Sequence, residues 1–406
     1  MTAVDEAPTD DDAPPTRRPR RRPAPPANPF FRFVFPLLVV GAGLVVFLLW
    51  REGTKAVLDT TDGEDVPVVT DPDARGFLAF AVPTPTLLIA HTDDADRLVG
   101  VSVLARTAGD DGGSLSILSP DLLIDIEEDV ILDVAYAEGG VERLEAAVAE
   151  WMGMGFTDDP MVMTAERLTG FFELVEPIPY VLVDDLVVDD GAGGIEVVIE
   201  SGGRGFDAAE LAAVYGWRNP GEPDATRFNR QLAVWDAWLG EIRAAEDPIA
   251  ATLFFTDGLP PHLRAMGTGT ADIELAPMAP FWIDPDEPIY ALRAEDSTWP
   301  TDRRVETVPL PVGHEPGALP TVQLLDGTGD AANRNAALPR VVAAGGEVFI
   351  IGNAWESDVA ETFVSYHLVE NEPIATAFAE RMGVPVVFDE NPNEVVDLTV
   401  TIGLDA

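Results

Sequence analysis

Three short aliphatic runs decide the fold class of this chain: Pro85-Thr-Leu-Leu-Ile-Ala90, Val99-Gly-Val-Ser-Val-Leu-Ala-Arg106 and Ser114-Leu-Ser-Ile-Leu-Ser119. Their length and aliphatic content predict buried β-strands, and residues 180–183 and 195–200 have the same character. Between them lie amphipathic segments whose apolar residues recur every three or four positions, which predicts helices. These helices are expected at residues 140–151, 164–175, 208–215 and 224–245. Strands interleaved with helices indicate an α/β layer fold.

Outward from this core, changes in composition divide the 406 residues into six parts. The ends of the chain differ sharply, since the first residues are rich in Pro, Asp and Arg while the last ones follow a β-α-β-β-α-β pattern. We predict a disordered cytoplasmic tail at 1–32, a transmembrane helix at 33–50, a stalk at 51–76, a first domain at 77–312, a linker at 313–319 and a C-terminal domain at 320–406.

The transmembrane prediction depends on the uncharged stretch from Phe33 to Trp50. Eighteen helical residues cover about 27 Å, close to the ~30 Å hydrocarbon core of a bilayer. Five arginines between positions 17 and 22 precede the stretch, which predicts a cytoplasmic N-terminus and extracytoplasmic domains in a single-pass cell-membrane protein. A cleaved signal peptide is the alternative, although Trp50-Arg-Glu-Gly53 is not a small-residue cleavage site.

Charge and cysteine content exclude several functions. The chain holds 71 acidic against 25 basic residues, a net charge of −46, and it has no cysteine. Such a surface repels phosphate backbones, so no nucleic-acid partner is expected. A solvated acidic coat explains the charge most simply, with binding of cations or a cationic partner as the alternative. Disulfides, thiolate metal sites and cysteine nucleophiles are excluded.

Six segments follow one another in a fixed order. They are Thr86–Ala90, Arg97 with the strand after it, Leu118-Ser-Pro-Asp-Leu-Leu-Ile-Asp-Ile126, Leu132-Asp-Val-Ala-Tyr-Ala-Glu-Gly-Gly140, Phe171-Phe-Glu-Leu-Val-Glu176, and Asp224-Ala-Thr-Arg-Phe-Asn-Arg-Gln231. Together they resemble the LytR-CpsA-Psr domain, which belongs to a family of bacterial cell-envelope proteins. The last part resembles the LytR C-terminal domain through Val322-Gln-Leu-Leu-Asp-Gly-Thr-Gly329, Ala379-Glu-Arg-Met-Gly383 and Leu398-Thr-Val-Thr-Ile-Gly-Leu-Asp405.

The resemblance implies a three-layer α/β/α first domain with a mixed sheet. It also implies a membrane-anchored phosphotransferase that moves glycopolymers from a polyprenyl-pyrophosphate carrier onto peptidoglycan. That chemistry neutralises pyrophosphate with a cation and arginines. Mg²⁺ is therefore expected only if the transferase activity is present, and no other cofactor is expected.

The acidic positions of the family pattern are altered in this sequence. The first Asp of the pattern falls near Thr92, and the shifted substitutes available beside it are Asp93 and Asp94. The second Asp, two residues after Arg97, is replaced by Val99, which cannot bind Mg²⁺ because that ion requires oxygen ligands.

The basic positions are altered too. Pro120 stands where the pattern has an arginine before Asp121, and Gly216 replaces the first arginine of the third motif while Arg218 is kept. Losing one preorganised electrostatic group typically costs about 10²–10³ in rate. We therefore expect a catalytically degenerate relative that binds or scaffolds lipid-linked or wall glycopolymers, with an active transferase as the alternative.

The residues expected at the site form two groups. Possible catalytic remnants are Asp93, Asp94 and Asp121, and candidates for binding pyrophosphate or lipid are Arg97, Arg218, Arg227 and Arg230. For Arg227 and Arg230 the plain alternative is i,i+3 ion pairing near Asp224 on one helix. The four histidines have no zinc spacing, Trp235 and Trp238 are expected in the core, and Thr328 is expected to cap a helix after the Asp326-Gly-Thr-Gly329 turn.

Overall fold

The computed structural model describes residues 69–125, 129–191, 193–247, 258–282, 288–293, 296–391 and 394–406. The predicted tail, the predicted transmembrane helix and most of the stalk lie outside these residues. Within the described part, no helix has both the length and the apolar character needed to cross a bilayer. Residues from Val69 onward form one compact unit.

The strands and helices of this unit are numbered separately in chain order. The strands are β1 (Leu78–Phe80), β2 (Thr86–Thr92), β3 (Leu98–Arg106), β4 (Gly112–Leu118), β5 (Leu122–Asp125), β6 (Val130–Ile131), β7 (Met161–Thr164), β8 (Ile178–Leu182), β9 (Leu186–Asp189), β10 (Ile195–Ile199), β11 (Gly202–Phe206), β12 (Thr270–Leu275), β13 (Met278–Trp282), β14 (Pro288–Leu292), β15 (Thr321–Asp326), β16 (Glu347–Asn353), β17 (Phe363–Tyr366), β18 (Val386–Phe388) and β19 (Leu398–Ile402). The helices are α1 (Leu132–Met152), α2 (Ala165–Phe172), α3 (Ala208–Gly216), α4 (Asp224–Ala244), α5 (Leu259–Thr268), α6 (Trp299–Thr307), α7 (Ala331–Ala343) and α8 (Glu372–Met382).

The first part of the unit is built on a five-stranded mixed sheet in the order β12-β4-β3-β2-β7. Strand β3 runs antiparallel to β2 and β4, whereas β7 is parallel to β2 and β12 is parallel to β4. The α/β class and the mixed sheet predicted from the sequence are confirmed.

Both faces of this sheet are buried, which makes three layers. Leu87 and Ile89 of β2 belong to one hydrophobic core, and the alternate residues Leu88 and Ala90 belong to the other. The first core is completed by α2, α3, α4 and α5, and the second by α1 and α6. Alternate residues of a β-strand point to opposite faces of the sheet. Both faces of β2 are buried, which explains why its sequence is a continuous aliphatic run.

The helices around the sheet begin and end at recognisable signals. Thr164 accepts a hydrogen bond from Arg167 N at the start of α2, and Asp207 accepts one from Glu210 N at the start of α3. Helix α1 ends at Gly153 in the left-handed conformation, and it is interrupted at Gly139 and Gly140. Trp235 and Trp238 of α4 are 1% and 2% exposed, which confirms their predicted core position.

The C-terminal residues form a second sheet in the order β1-β16-β15-β19-β17-β18. The β-α-β-β-α-β succession predicted here is present from β15 to β19, with β18 as an additional strand. Strand β1 joins this sheet by pairing antiparallel with β16, although it precedes β2 in sequence. The prediction for Thr328 was wrong, because Asp330 caps α7 by accepting from Ala332 N while Thr328 donates to Asp326 within the turn.

Candidate functional site

A cavity of about 1180 Å³ opens at the carboxyl ends of the parallel strands β2 and β7. It is bounded by the β2–β3 turn, by the first half of α1, and by α2, α3 and the start of α4. This volume exceeds the roughly 300–1,000 Å³ of most small-molecule sites. The end of a sheet is also where α/β proteins commonly bind ligands.

One wall of the cavity is apolar. Helix α3 contributes Ala209, Ala212, Ala213 and Gly216, whose spacing of three, one and three positions places them on one helix face. The wall is extended by larger side chains from the strands and neighbouring elements, namely Leu98, Val99, Met163, Leu168 and Trp217. Such a surface accommodates an alkyl or prenyl chain without offering it a hydrogen bond.

Asp93 and Arg97 line the cavity as a closed pair within the β2–β3 turn. Oδ1 of Asp93 accepts from Ala95 N and Arg97 N, both at 2.9 Å, and Oδ2 accepts from Nε and Nη2 of Arg97 at 2.8 and 2.6 Å. Burial acts to raise the pKa of Asp93, but the hydrogen bonds from Arg97 and Ala95 lower it overall. Both carboxylate oxygens are therefore already committed within the turn.

Other carboxylates lie around the opening and on α1. Asp94, Asp96 and Glu166 are exposed, and Asp121 and Asp133 are partly buried. Tyr136 donates to Asp96 Oδ1 at 3.0 Å, and burial together with this hydrogen bond raises the pKa of Tyr136 to about 12. Burial also raises the pKa of Asp133. The cavity is thus lined by six carboxylates, three of which are on its exposed rim.

Two arginines from the third motif also reach the cavity. Arg218 is exposed just after α3, where its Nε donates to Glu222 O at 3.3 Å. Arg227 is 7% exposed on α4, with its guanidinium carbon 5.4 Å from the centroid of the Phe228 ring. These cations stand next to the apolar wall, since Trp217 and Gly216 line the same space.

Arg230 does not line this cavity. It forms a buried ion pair with Glu222, in which Nη2 donates to Oε2 at 2.9 Å, and it also donates to the carbonyl of Trp217. Burial acts to raise the pKa of Glu222, but its hydrogen bonds with Arg230 and with the Asn219 backbone lower it overall. Arg230 is therefore paired internally, with Glu222 before α4 rather than through the i,i+3 pairing of the alternative.

His91 and Thr92 form the end of β2 and line the cavity with almost no exposed surface, 1% and 3%. His91 Nε2 is 2.9 Å from Ser102 Oγ, its ring lies 4.7 Å from that of Tyr215, and burial lowers its pKa to about 3. His91 Nδ1 and Thr92 Oγ1 have no hydrogen-bond partner within the described protein. Buried polar groups are normally paired, so both atoms indicate a missing partner.

The residues present do not fit the Mg²⁺ ion that the family resemblance implies. Val99 offers no ligand, and the oxygens of Asp93 are occupied by Arg97 and Ala95. Across the described residues, no three His, Asp or Glu side chains converge in a way that could hold a metal ion. A hard cation such as Mg²⁺ needs several oxygen donors in near-octahedral geometry.

The structure therefore brings together most of the residues singled out from the sequence. Six of them line one cavity: Asp93, Asp94, Asp121, Arg97, Arg218 and Arg227. Sequence reasoning missed Asp133 and Tyr136, although both lie in the quoted segment from Leu132 to Gly140. It also treated His91 only as a zinc candidate, and the signal available was its position at the end of a buried strand.

The fold is similar to that of several proteins of known structure. No protein-family model matches the chain, and no curated protein does. Solved structures that are similar to it include Bacillus subtilis TagV, which is 13% identical with a TM-score of 0.45, over 55% of this chain and 96% of TagV. A LytR-Csp2A-Psr enzyme from Actinomyces oris is 15% identical with a TM-score of 0.41, over 56% of this chain and 94% of its own.

A third similar structure is the LytR-CPS2A-psr family protein YwtF, or TagT, of Bacillus subtilis with bound octaprenyl pyrophosphate lipid. It is 14% identical, with a TM-score of 0.41, over 58% of this chain and 91% of its own. Each of these similarities to LytR-CpsA-Psr proteins covers somewhat more than half of this chain.

Proposed function

We propose that this protein is a cell-envelope protein of LytR-CpsA-Psr type whose cavity binds the carrier end of a lipid-linked glycopolymer without transferring it. The observation that carries the proposal is one cavity that joins two arginines, Arg218 and Arg227, to an apolar wall on α3. A prenyl chain is apolar and its phosphate is anionic, so each half of such a ligand meets matching chemistry.

Side chains of the same cavity support the absence of transfer. Asp93, a shifted substitute for the first Asp of the family pattern, accepts hydrogen bonds on both carboxylate oxygens from its own turn. Phosphoryl transfer depends on cations that neutralise charge developing on the phosphate. With Val99 and Pro120 at two of the altered positions, we infer binding or scaffolding of a wall or lipid-linked polymer, with peptidoglycan as a further partner.

The location is part of the proposal. The uncharged stretch from Phe33 to Trp50 would anchor the protein in the cell membrane with its cavity outside the cytoplasm, where lipid-linked envelope precursors are used. A reporter fusion at the C-terminus that is active only outside the cytoplasm tests this orientation. Activity from a cytoplasmic reporter at the same position would contradict it.

Binding is tested by titrating the full chain, in detergent micelles, with farnesyl phosphate and following Trp fluorescence, since Trp217 lines the cavity. Arg227→Ala and Arg218→Ala should each weaken binding about tenfold or more, because a charge-assisted hydrogen bond contributes roughly 1.5–3 kcal/mol. Arg106→Ala is the matched control, because Arg106 pairs with Asp110 outside the cavity.

The outcomes separate the candidate functions. Equal loss of affinity in Arg106→Ala and Arg227→Ala would mean that the cavity arginines have no special role. Release of phosphate from a polyprenyl-pyrophosphate substrate, abolished by Arg227→Ala, would instead establish the transferase and reject the non-catalytic proposal.

A further inference from the structure

We propose that the edge of β16 is a peptide-binding site of the second sheet, filled by residues 72–80 of the same chain and able to bind a separate peptide of that sequence. These residues are called the β1 segment, because they end in β1. The site is selective for an Arg-Gly pair that is followed by a short strand. The inference is independent of the proposed function, since it does not involve the cavity.

The first observation is that one residue binds most of the turn that precedes β1. Asn353, at the end of β16, is 8% exposed. Its Nδ2 donates to Pro72 O at 2.8 Å and to Ala74 O at 2.9 Å. Its backbone carbonyl accepts from Gly76 N at 3.1 Å, and its own N donates to Phe77 O at 2.9 Å. Four hydrogen bonds from Asn353 therefore hold the β1 segment.

The second observation is a position that only glycine fits. The ring of Trp355 lies against Gly76, where a Cβ atom would be 2.6 Å from two ring carbons. Gly76 also has φ +73°, a conformation that residues with a side chain rarely adopt. From the same loop as Trp355, Ser357 Oγ accepts a hydrogen bond from Arg75. The site thus has a specific contact for each member of the Arg-Gly pair.

The third observation is the main-chain pairing of β1. It runs antiparallel to β16, with Leu78 opposite Gly352 and Phe80 opposite Ile350. A Cβ atom at Gly352 would lie 2.1 Å from Phe77 O, so the absence of a side chain there permits the close approach. Sheet edges bind extended peptides through main-chain hydrogen bonds of this kind.

The β1 segment is held by directional bonds more than by burial of apolar surface. Leu78 and Phe80 are 52% and 71% exposed, so release of the segment uncovers little of their surface. Release would, however, deprive the Asn353 amide of its two carbonyl partners. A buried polar group without partners is unfavourable, so the vacated site should bind a peptide that restores these bonds.

The experiment uses the full chain with residues 75–80 replaced by a Gly-Ser sequence, which leaves β16 and its loop intact. A fluorescent peptide of residues 70–82 is titrated into this variant, and binding is followed by anisotropy. The unmodified chain should bind the peptide at least about tenfold more weakly, because its own segment fills the site as an intramolecular competitor.

Substituted peptides test the selectivity. Gly76→Ala should weaken binding about tenfold or more, because of strain and the contact with Trp355. Arg75→Ala should weaken it about threefold, through the lost hydrogen bond to Ser357. Asp73→Asn is the control, since Asp73 is exposed, and should change the affinity by less than about twofold. The inference is rejected if the folded variant does not bind the unsubstituted peptide, or binds the Gly76→Ala peptide equally well.

Hydrogen exchange gives a second measurement that leaves the β1 segment in place, so it decides the question if the Gly-Ser variant does not fold. In the full chain with Gly76→Ala, the amide of Asn353 should exchange about tenfold faster, because it donates to Phe77 O. Gly383→Ala is the matched control, since Gly383 has φ +71° and open space around it. Unchanged exchange at Asn353 in Gly76→Ala, or an equal increase in Gly383→Ala, would overturn the assignment.

Discussion

His91 shows how a single buried residue links the cavity to the stability of the protein. Its Nε2 lies 2.9 Å from Ser102 Oγ, its ring is tilted against that of Tyr215, and burial lowers its pKa from 6.5 to about 3. The folded protein therefore keeps this ring neutral at pH values where the unfolded chain protonates it. Stability must fall as the pH drops below 6.5 towards 3, because the unfolded state then binds the additional proton.

This predicts a pH-dependent difference between His91→Phe and the wild type. Between pH 7 and pH 5 the wild type should lose about 2 kcal/mol more unfolding free energy than the variant, from the linkage of this one group. Urea denaturation at the two pH values measures the loss. If the unfolding free energies of His91→Phe and the wild type change equally with pH, the assignment of this proton to His91 is contradicted.

Single residues also show where sequence reasoning was limited. The motif identified Arg218, Arg227 and Arg230, but it could not show where their side chains point. Arg230 is separated from the other two by its buried pair with Glu222, a residue eight positions away across the turn that leads into α4. Tertiary packing decides which of several arginines forms an internal ion pair, and a sequence motif contains no information about that packing.

At the scale of elements, the interruption of α1 shapes one side of the cavity. Gly140 lines the cavity with φ +70° and ψ −157°, a conformation that residues with a side chain rarely adopt. The first half of α1 carries Asp133 and Tyr136 to the cavity, while the second half carries Leu144 and Val148 into the core. The interruption at Gly139 and Gly140 thus lets α1 contribute side chains both to the cavity and to the hydrophobic core.

We expect Gly140→Ala to destabilise the protein by about 1–3 kcal/mol, because the new side chain strains this backbone conformation. Gly170→Ala is a matched control, since Gly170 lies within α2 with open space around it and no positive φ. That change should be neutral or stabilising by up to about 1 kcal/mol. Thermal denaturation of both variants measures the contrast. Similar changes in both would show that the interruption of α1 is not strained.

Most strands and helices of the central layers could be predicted because their apolar periodicity is local. The runs beginning at Pro85, Val99 and Ser114 all proved to be strands of one sheet. The pairing of β1 with β16 could not be predicted, since Leu78 meets Gly352 through a register that no local pattern specifies. The Thr328 prediction failed because two capping residues lay close together, and Asp330 was in the correct position relative to α7.

At the scale of the whole molecule, Arg304 connects α1, a helix beside the first sheet, to α7, a helix beside the second sheet. Its Nη1 donates to the carbonyls of Met152 and Gly153 at 3.2 and 2.6 Å, and Nη2 donates to Val342 O at 3.4 Å. One buried guanidinium therefore bonds carbonyls at the ends of α1 and α7, where a positive charge is favoured. Burial, followed by repulsion from Arg381, lowers the pKa of Arg304.

This contact predicts that Arg304→Met costs about 2–3 kcal/mol of unfolding free energy, because several carbonyls lose a charged donor. Arg381→Ala is the control and should be neutral or slightly stabilising, since Arg381 is exposed and repels Arg304. Urea denaturation of the full chain compares them. A loss in Arg381→Ala as large as that in Arg304→Met would mean that the carbonyl contacts of Arg304 add little.

The central claim is that a prenyl phosphate lies in the cavity along α3. Photo-crosslinking measures this most directly: a prenyl phosphate with a diazirine on its chain is irradiated with the full protein, and the labelled peptides are identified by mass spectrometry. We predict labels within residues 209–217 and 163–169, which Arg227→Ala reduces and Arg106→Ala does not. Labels confined to exposed apolar residues elsewhere, such as Val386–Phe388 of β18, would contradict the account.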